Sequence, residues 1–198
     1  MDVIIQYSSL AILFSGTCFQ ILARRMPHSF FSTRKKGIAL SLLIISVAGV
    51  LGYYAFLVFL QYMGWKNGAP PASFLVPPYR GIGYVYSYVF FRFLLYYVVS
   101  GIVAGIFFIV LRYINRMRGG IFFESDELFY ASLAVFLLGF QEWNYLWIWY
   151  GIAVFLITFV ASLLNPRIRK GEDRFPMYFL WLPLAIIAII ISEMVRVF

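Results

Sequence analysis

Residues 37–62 read GIALSLLIISVAGVLGYYAFLVFLQY, a stretch of 26 residues without a charge, with Arg34, Lys35 and Lys36 before it and Lys66 after it. A surface helix of a water-soluble domain keeps one face polar. This stretch is apolar on every side. About 20 such residues cross the hydrocarbon core of a bilayer, so residues 37–62 predict a transmembrane helix.

Working outward, five further apolar runs cover residues 3–23, 86–112, 127–140, 143–164 and 177–195. The first is the most polar, with Gln6, Ser8, Ser9, Ser15 and Gln20. The fourth is short for a crossing, so it either begins earlier, near Ile121, or is re-entrant. The expected fold class is all-α: a polytopic membrane bundle of about six transmembrane helices, forming one domain over residues 1–198. Five spans with a re-entrant segment is the fallback.

Composition agrees. Of 198 residues, 63% are hydrophobic and 12% charged, against about a quarter charged in soluble domains. Basic residues set the orientation. Arg24, Arg25, Arg34, Lys35 and Lys36 follow run one; Arg112, Arg116 and Arg118 follow run three; Arg167, Arg169, Lys170 and Arg174 follow run five. The other connections hold only Lys66 and Arg80. Basic loops stay cytoplasmic, so six crossings place both termini outside. Run one has Asp2 before it and Arg24-Arg25 after it, the reverse of a signal peptide. The net charge of +8 is then accounted for by orientation and anionic lipid, and nucleic acid is not an expected partner.

Cys18 and His28 are the only cysteine and histidine. They are too few for a disulfide, a zinc centre or a Ser-His-Asp site, so no metal or cofactor is expected. Four prolines and four glycines between residues 63 and 85 predict an ordered outer cap. Gly101 and Gly105 form a GxxxG that permits close helix packing. Arg92 snorkels toward the outer loop or pairs with an acid. Glu193 faces headgroups or pairs with Arg196. Three of the eight acidic residues fall together at Glu124, Asp126 and Glu127. There, Ser125 or Asp126 suits a helix N-cap, and a carboxylate at membrane depth suits acid or base chemistry.

The order of these features resembles the type IV prepilin peptidases and archaeal preflagellin peptidases, six-span aspartic proteases of the GxGD type. Gln20-Ile21-Leu22-Ala23-Arg24-Arg25-Met26-Pro27-His28 is similar to the family's first aspartate motif, with its basic pair and Met-Pro-His in the place of Ile-Pro-Asn. Asp126, after Arg118-Gly119-Gly120, takes the place of the second aspartate. LFYASLAVFLLGF, residues 128–140, resembles the apolar stretch after it, and Arg174-Phe175-Pro176-Met177-Tyr178 the start of span six. The resemblance implies a multi-pass protein of a prokaryotic inner or plasma membrane. It also implies a cytoplasmic-face site that cuts leader peptides of single-span prepilin-like proteins. Asp126 and the Gln20 position would be catalytic, and Glu124, Glu127, Arg24 and Arg25 would bind.

The chain departs from that pattern at Gln20. Two carboxylates sharing a proton activate water and protonate the substrate carbonyl, and a glutamine amide does not titrate. Phe123 and Ser125 also replace the glycines of the second motif. The chain therefore reads as a prepilin-peptidase-like protein degenerate in catalysis. Three readings stay open: an active endopeptidase using Asp126, a non-catalytic binding or assembly partner, and an unrelated small membrane protein or transporter.

Overall fold

The computed structural model describes residues 2–25, 34–117, 119, 123–124, 126–143, 145–164 and 177–197. Among them the long helices are α1 (Asp2–Arg25), α2 (Lys35–Lys66), α3 (Gly83–Met117), α4 (Glu127–Leu137), α5 (Leu146–Leu164) and α6 (Trp181–Val197). Short 3₁₀ turns occupy Ala72–Leu75, Gln141–Trp143 and Met177–Phe179. No strand occurs among the described residues. Two helices, α2 and α3, are long and apolar enough to cross a membrane.

The polar residues of α1 become intelligible in the bundle. Ser9, Leu13, Gly16, Gln20 and Ala23 are buried, a spacing of four and three residues that keeps them on one helical stripe. Tyr7, Phe14, Ile21 and Leu22 point outward. Gly16 is where α6 comes closest. A Cβ there would lie 2.8 Å from Leu182 Cδ1, so glycine lets the two helices meet.

α4 is the centre of the molecule. It packs on all five other long helices, and every one of its residues except Phe129 is buried. A helix with protein on all sides has no reason for a polar face, which explains its uniformly apolar sequence. It runs antiparallel to α3. Asn115 bonds Phe123 at one end, Phe108 meets Phe129 at 5.1 Å, and Arg92 and Gln141 line one cavity at the other end. From Asn115 to Ser100, which abuts Gly139, is about 22 Å at about 1.5 Å per residue. Residues 123–139 therefore run back along α3 over that distance. The helix itself ends at Leu137, and Gly139, Phe140 and a 3₁₀ turn follow it.

Serine hydroxyls join α3 to α4. Ser100 Oγ donates to the Phe136 carbonyl at 3.1 Å, and Ser132 Oγ donates to the Ala104 carbonyl at 3.3 Å. The tightest approach is Ser100 against Gly139, where a Cβ would collide with the hydroxyl. Of the GxxxG pair, a Cβ at Gly101 would meet the Phe136 ring at 3.6 Å, in ordinary contact, and one at Gly105 would meet nothing within 4 Å.

The ends of the bundle differ. Arg24, Arg25, Lys35, Arg112 and Arg116 lie at one, called here the basic end; the proline-rich turns of residues 67–82 lie at the other, the loop end. At the loop end, Glu142 pairs with Arg196, and Trp143 Nε1 donates to Glu193 at 2.7 Å. Glu193 thus has a tryptophan partner, and Arg196 pairs with Glu142. The 3₁₀ turn presents Glu142 and Trp143 together to one face of α6. Arg92, in a π-helical turn (Phe90–Leu94), donates to Tyr88 Oη at 2.8 Å, one turn nearer the loop. Its side chain thus runs toward the loop end.

Candidate functional site

The basic end gathers the residues singled out in the sequence. Asn115, near the end of α3, holds the following loop by a two-point clamp. Its Nδ2 donates to the Phe123 carbonyl at 3.1 Å, and its Oδ1 accepts from the Phe123 N–H at 3.0 Å. Phe123 is buried and packs on Trp181, ring centroids 6.4 Å apart. The side chain that crowds the second motif is thus an anchor for the loop.

The start of α4 is capped in an unexpected way. Asp126 stands at the N-cap position, but its side chain makes no capping bond. Instead Glu127 Oε2 accepts from the Glu124 N–H at 3.1 Å, as the acidic member of a capping box does. Ser125, the other expected cap, lies outside the described residues. Glu124 is exposed and pairs with Lys35 of α2 at 3.8 Å, a surface contact worth at most about 1 kcal/mol. Asp126 and Glu127 are 3% and 5% exposed, so both carboxyls face protein rather than water. Tyr130, one turn on, is within electrostatic reach of Asp126.

Gln20 lies on the buried stripe of α1 with no exposure. Its level in the bundle follows from its neighbours. Gly16 abuts Leu182, and the Arg24 guanidinium sits 5.0 Å over the Phe179 ring. Gln20 is therefore level with the Phe179–Leu182 turn. Trp181 of that turn packs on Phe107 at 5.7 Å and on Phe123, three residues before Asp126. α1 also touches α4 directly. A continuous set of contacts thus links the Gln20 level to the Asp126 turn.

Among the described residues, both amide atoms of Gln20 and the indole N–H of Trp181 are buried without a hydrogen bond. Such groups are rare in folded proteins and each needs an explanation. Together they supply two kinds of donor and one acceptor, a set that complements a peptide group. A single carboxylate such as Asp126 can exchange a proton with a ligand. It does not form the shared-proton pair of an aspartic protease.

Arg24 and Arg25 are exposed at the rim. Met26-Pro27-His28 and Arg174-Phe175-Pro176 lie outside the described residues, while Met177 is buried. No cluster of potential metal ligands occurs among the described residues. Beside the site, an apolar groove of about 570 Å³ runs between α2 and α3, lined by Val47, Gly101, Gly105 and Phe108 with Phe129 and Phe136 of α4. Sequence reasoning missed Asn115 and Trp181. A lone amide in a basic helix end and one tryptophan among many aromatics carry no spacing signal. Comparison with protein-family models, with curated proteins and with solved structures finds no match to this chain.

Proposed function

We propose that this chain is a six-span membrane protein of the prepilin-peptidase type that binds the leader region of single-span prepilin-like proteins without cleaving it. Its basic end faces the cytoplasm and both termini face outward, in a prokaryotic inner or plasma membrane. The observation that carries this reading is the Gln20 amide, buried and unbonded at the level of the turn that leads to Asp126. Leaving a buried polar group unpaired costs about 1–3 kcal/mol. A chain gains from keeping such a group when a ligand completes its bonds, and a peptide group does so at both atoms. Gln20 and Asp126 would then meet the leader as the chain opens to admit it, Gln20 holding backbone and Asp126 accepting a donor. Arg24, Arg25 and Glu124 would meet the ends and charges of the leader at the rim.

The lateral groove supports the same reading. Its lining is apolar and suits the hydrophobic helix that follows a prepilin leader, with Gly101 and Gly105 permitting close backbone approach. Cleavage is not expected, because Gln20 cannot take a proton and Glu127 is engaged with the Glu124 backbone. The burial of Asp126 beside Glu127 favours a second reading, an endopeptidase with Asp126 as its surviving acid.

Co-purification tests the binding claim. The chain is expressed with a prepilin-like protein from its own genome, extracted in mild detergent and captured by a tag. The prepilin-like protein should be recovered with wild type and lost with Gln20→Leu. Equal recovery with both would overturn the role given to Gln20, and no recovery with wild type would overturn the proposed partner.

A further inference from the structure

At the loop end, far from Gln20, Arg92 faces a cavity of about 300 Å³ between α2 and α3. The cavity has two kinds of wall. Gln61, Tyr88, Arg92 and Gln141 are polar; Leu57 and Phe93 belong to its apolar wall. Arg92 is an arginine without a carboxylate among the described residues. Glu142 pairs with Arg196, and Glu193 accepts from Trp143, so the described acids at this end are engaged elsewhere. Among the described residues, Arg92 has one hydrogen bond, to the Tyr88 hydroxyl at 2.8 Å.

A guanidinium carries five N–H donors in a planar fork that matches phosphate oxygens. Only one is taken up by Tyr88. Tyr88, having accepted from Arg92, keeps its own O–H to donate, and Gln61 and Gln141 each carry an amide NH₂. Every polar group in this wall can therefore donate, and none is anionic. More positive charge lies alongside. Trp65 packs on Tyr88 and Tyr84 at 5.0 and 5.8 Å, and the Arg80 guanidinium sits 4.7 Å over Tyr84. Lys66 lies 5.8 Å from the Tyr62 ring centre. The aromatics hold these cations where a tryptophan and tyrosine belt meets headgroups.

The geometry assigns this cavity to the phosphate of a glycerophospholipid. Arg92 takes the phosphate oxygens as a fork, Tyr88 and the two glutamines complete the set, and the apolar wall receives the first carbons of the acyl chains. The apolar wall is the reason to choose a lipid over a soluble phosphate ester, which would use only the polar half. The inference rests on the membrane reading of the bundle, though not on the prepilin partner.

Native mass spectrometry of the detergent-purified chain tests it, with phosphatidylglycerol and with diacylglycerol of the same acyl chains. Phosphatidylglycerol should be retained and diacylglycerol should not. Arg92→Gln should lower phosphatidylglycerol occupancy by about ten-fold, the scale of one charge-assisted contact. Arg196→Gln, which alters an arginine already paired with Glu142, should leave it unchanged. Gln141→Leu provides a second reading of the site should Arg92→Gln fail to fold. Undiminished occupancy in a folded Arg92→Gln, or equal binding of diacylglycerol, overturns the proposal. Glycerol 3-phosphate that displaces the lipid at equal concentration overturns the choice of a lipid. Recovery of the wild-type chain in the soluble rather than the membrane fraction would instead overturn the membrane reading beneath it.

Discussion

Asn115 holds Phe123 by both of that residue's backbone polar groups, at 3.1 and 3.0 Å, and so ties the loop before Asp126 to the end of α3. A side-chain amide can do this because it donates and accepts at adjacent atoms without titrating. Asn115→Leu should remove both bonds and destabilise the fold by about 1–3 kcal/mol, seen as a lower midpoint of thermal unfolding in detergent. Asn115→Asp keeps the acceptor and loses the donor, so its midpoint should fall between the two. A midpoint for Asn115→Leu equal to wild type would mean the clamp does not hold the loop.

The contact between α3 and α4 gives a paired prediction. Gly139→Ala places a methyl group against the Ser100 side chain, and such overpacking costs about 1–3 kcal/mol. Gly105→Ala enters open space and gains up to about 1 kcal/mol of helix propensity. Unfolding midpoints should fall for the first and hold or rise for the second. The reverse order would place the close helix contact at the GxxxG after all.

These elements differ in how far the sequence foretold them. The apolar runs of α2 and α3 were plain, because length and lack of charge are properties of composition alone. The run at residues 127–140 was ambiguous for a physical reason. α4 is covered by five neighbouring helices, so it needs no polar face, and it ends at Leu137, before Gly139, Phe140 and a 3₁₀ turn, which leaves its apolar run short. Gln20 was legible as a polar residue in an apolar run and Asp126 as a member of an acidic cluster at the start of one, and both are buried. Asn115 and Trp181 were not, since their roles depend on partners distant in sequence or on a loop conformation. The exchange of partners among Glu142, Trp143, Glu193 and Arg196 was hidden likewise. Charge alone pairs Glu193 with Arg196, and only the turn at Gln141–Trp143 brings the others within reach.

Gln20→Leu should stabilise the isolated chain. It removes an amide that is buried with neither atom bonded and substitutes an apolar group of similar size, which should raise the unfolding midpoint by an amount worth about 1–3 kcal/mol. The same change should abolish co-purification of the prepilin-like protein, so stability and binding move in opposite directions. A fall in the midpoint would make Gln20 a structural residue.

Orientation can be read by labelling. In a Cys18→Ser background, Gly81→Cys at the loop end and Met117→Cys at the basic end each carry one exposed thiol. A membrane-impermeant maleimide should label Gly81→Cys in intact cells and Met117→Cys only after lysis. The opposite pattern would invert the orientation drawn from the basic residues.

The central claim is a prepilin-type site that binds without cutting because position 20 carries an amide. The most direct measurement is the N-terminus of a co-expressed prepilin-like protein, by mass spectrometry, in the presence of wild type, Gln20→Asp and Gln20→Asp with Asp126→Asn. The leader should remain with wild type, be removed with Gln20→Asp, and remain again in the double variant. Removal by wild type that Asp126→Asn alone abolishes would contradict the claim and make the chain an active peptidase.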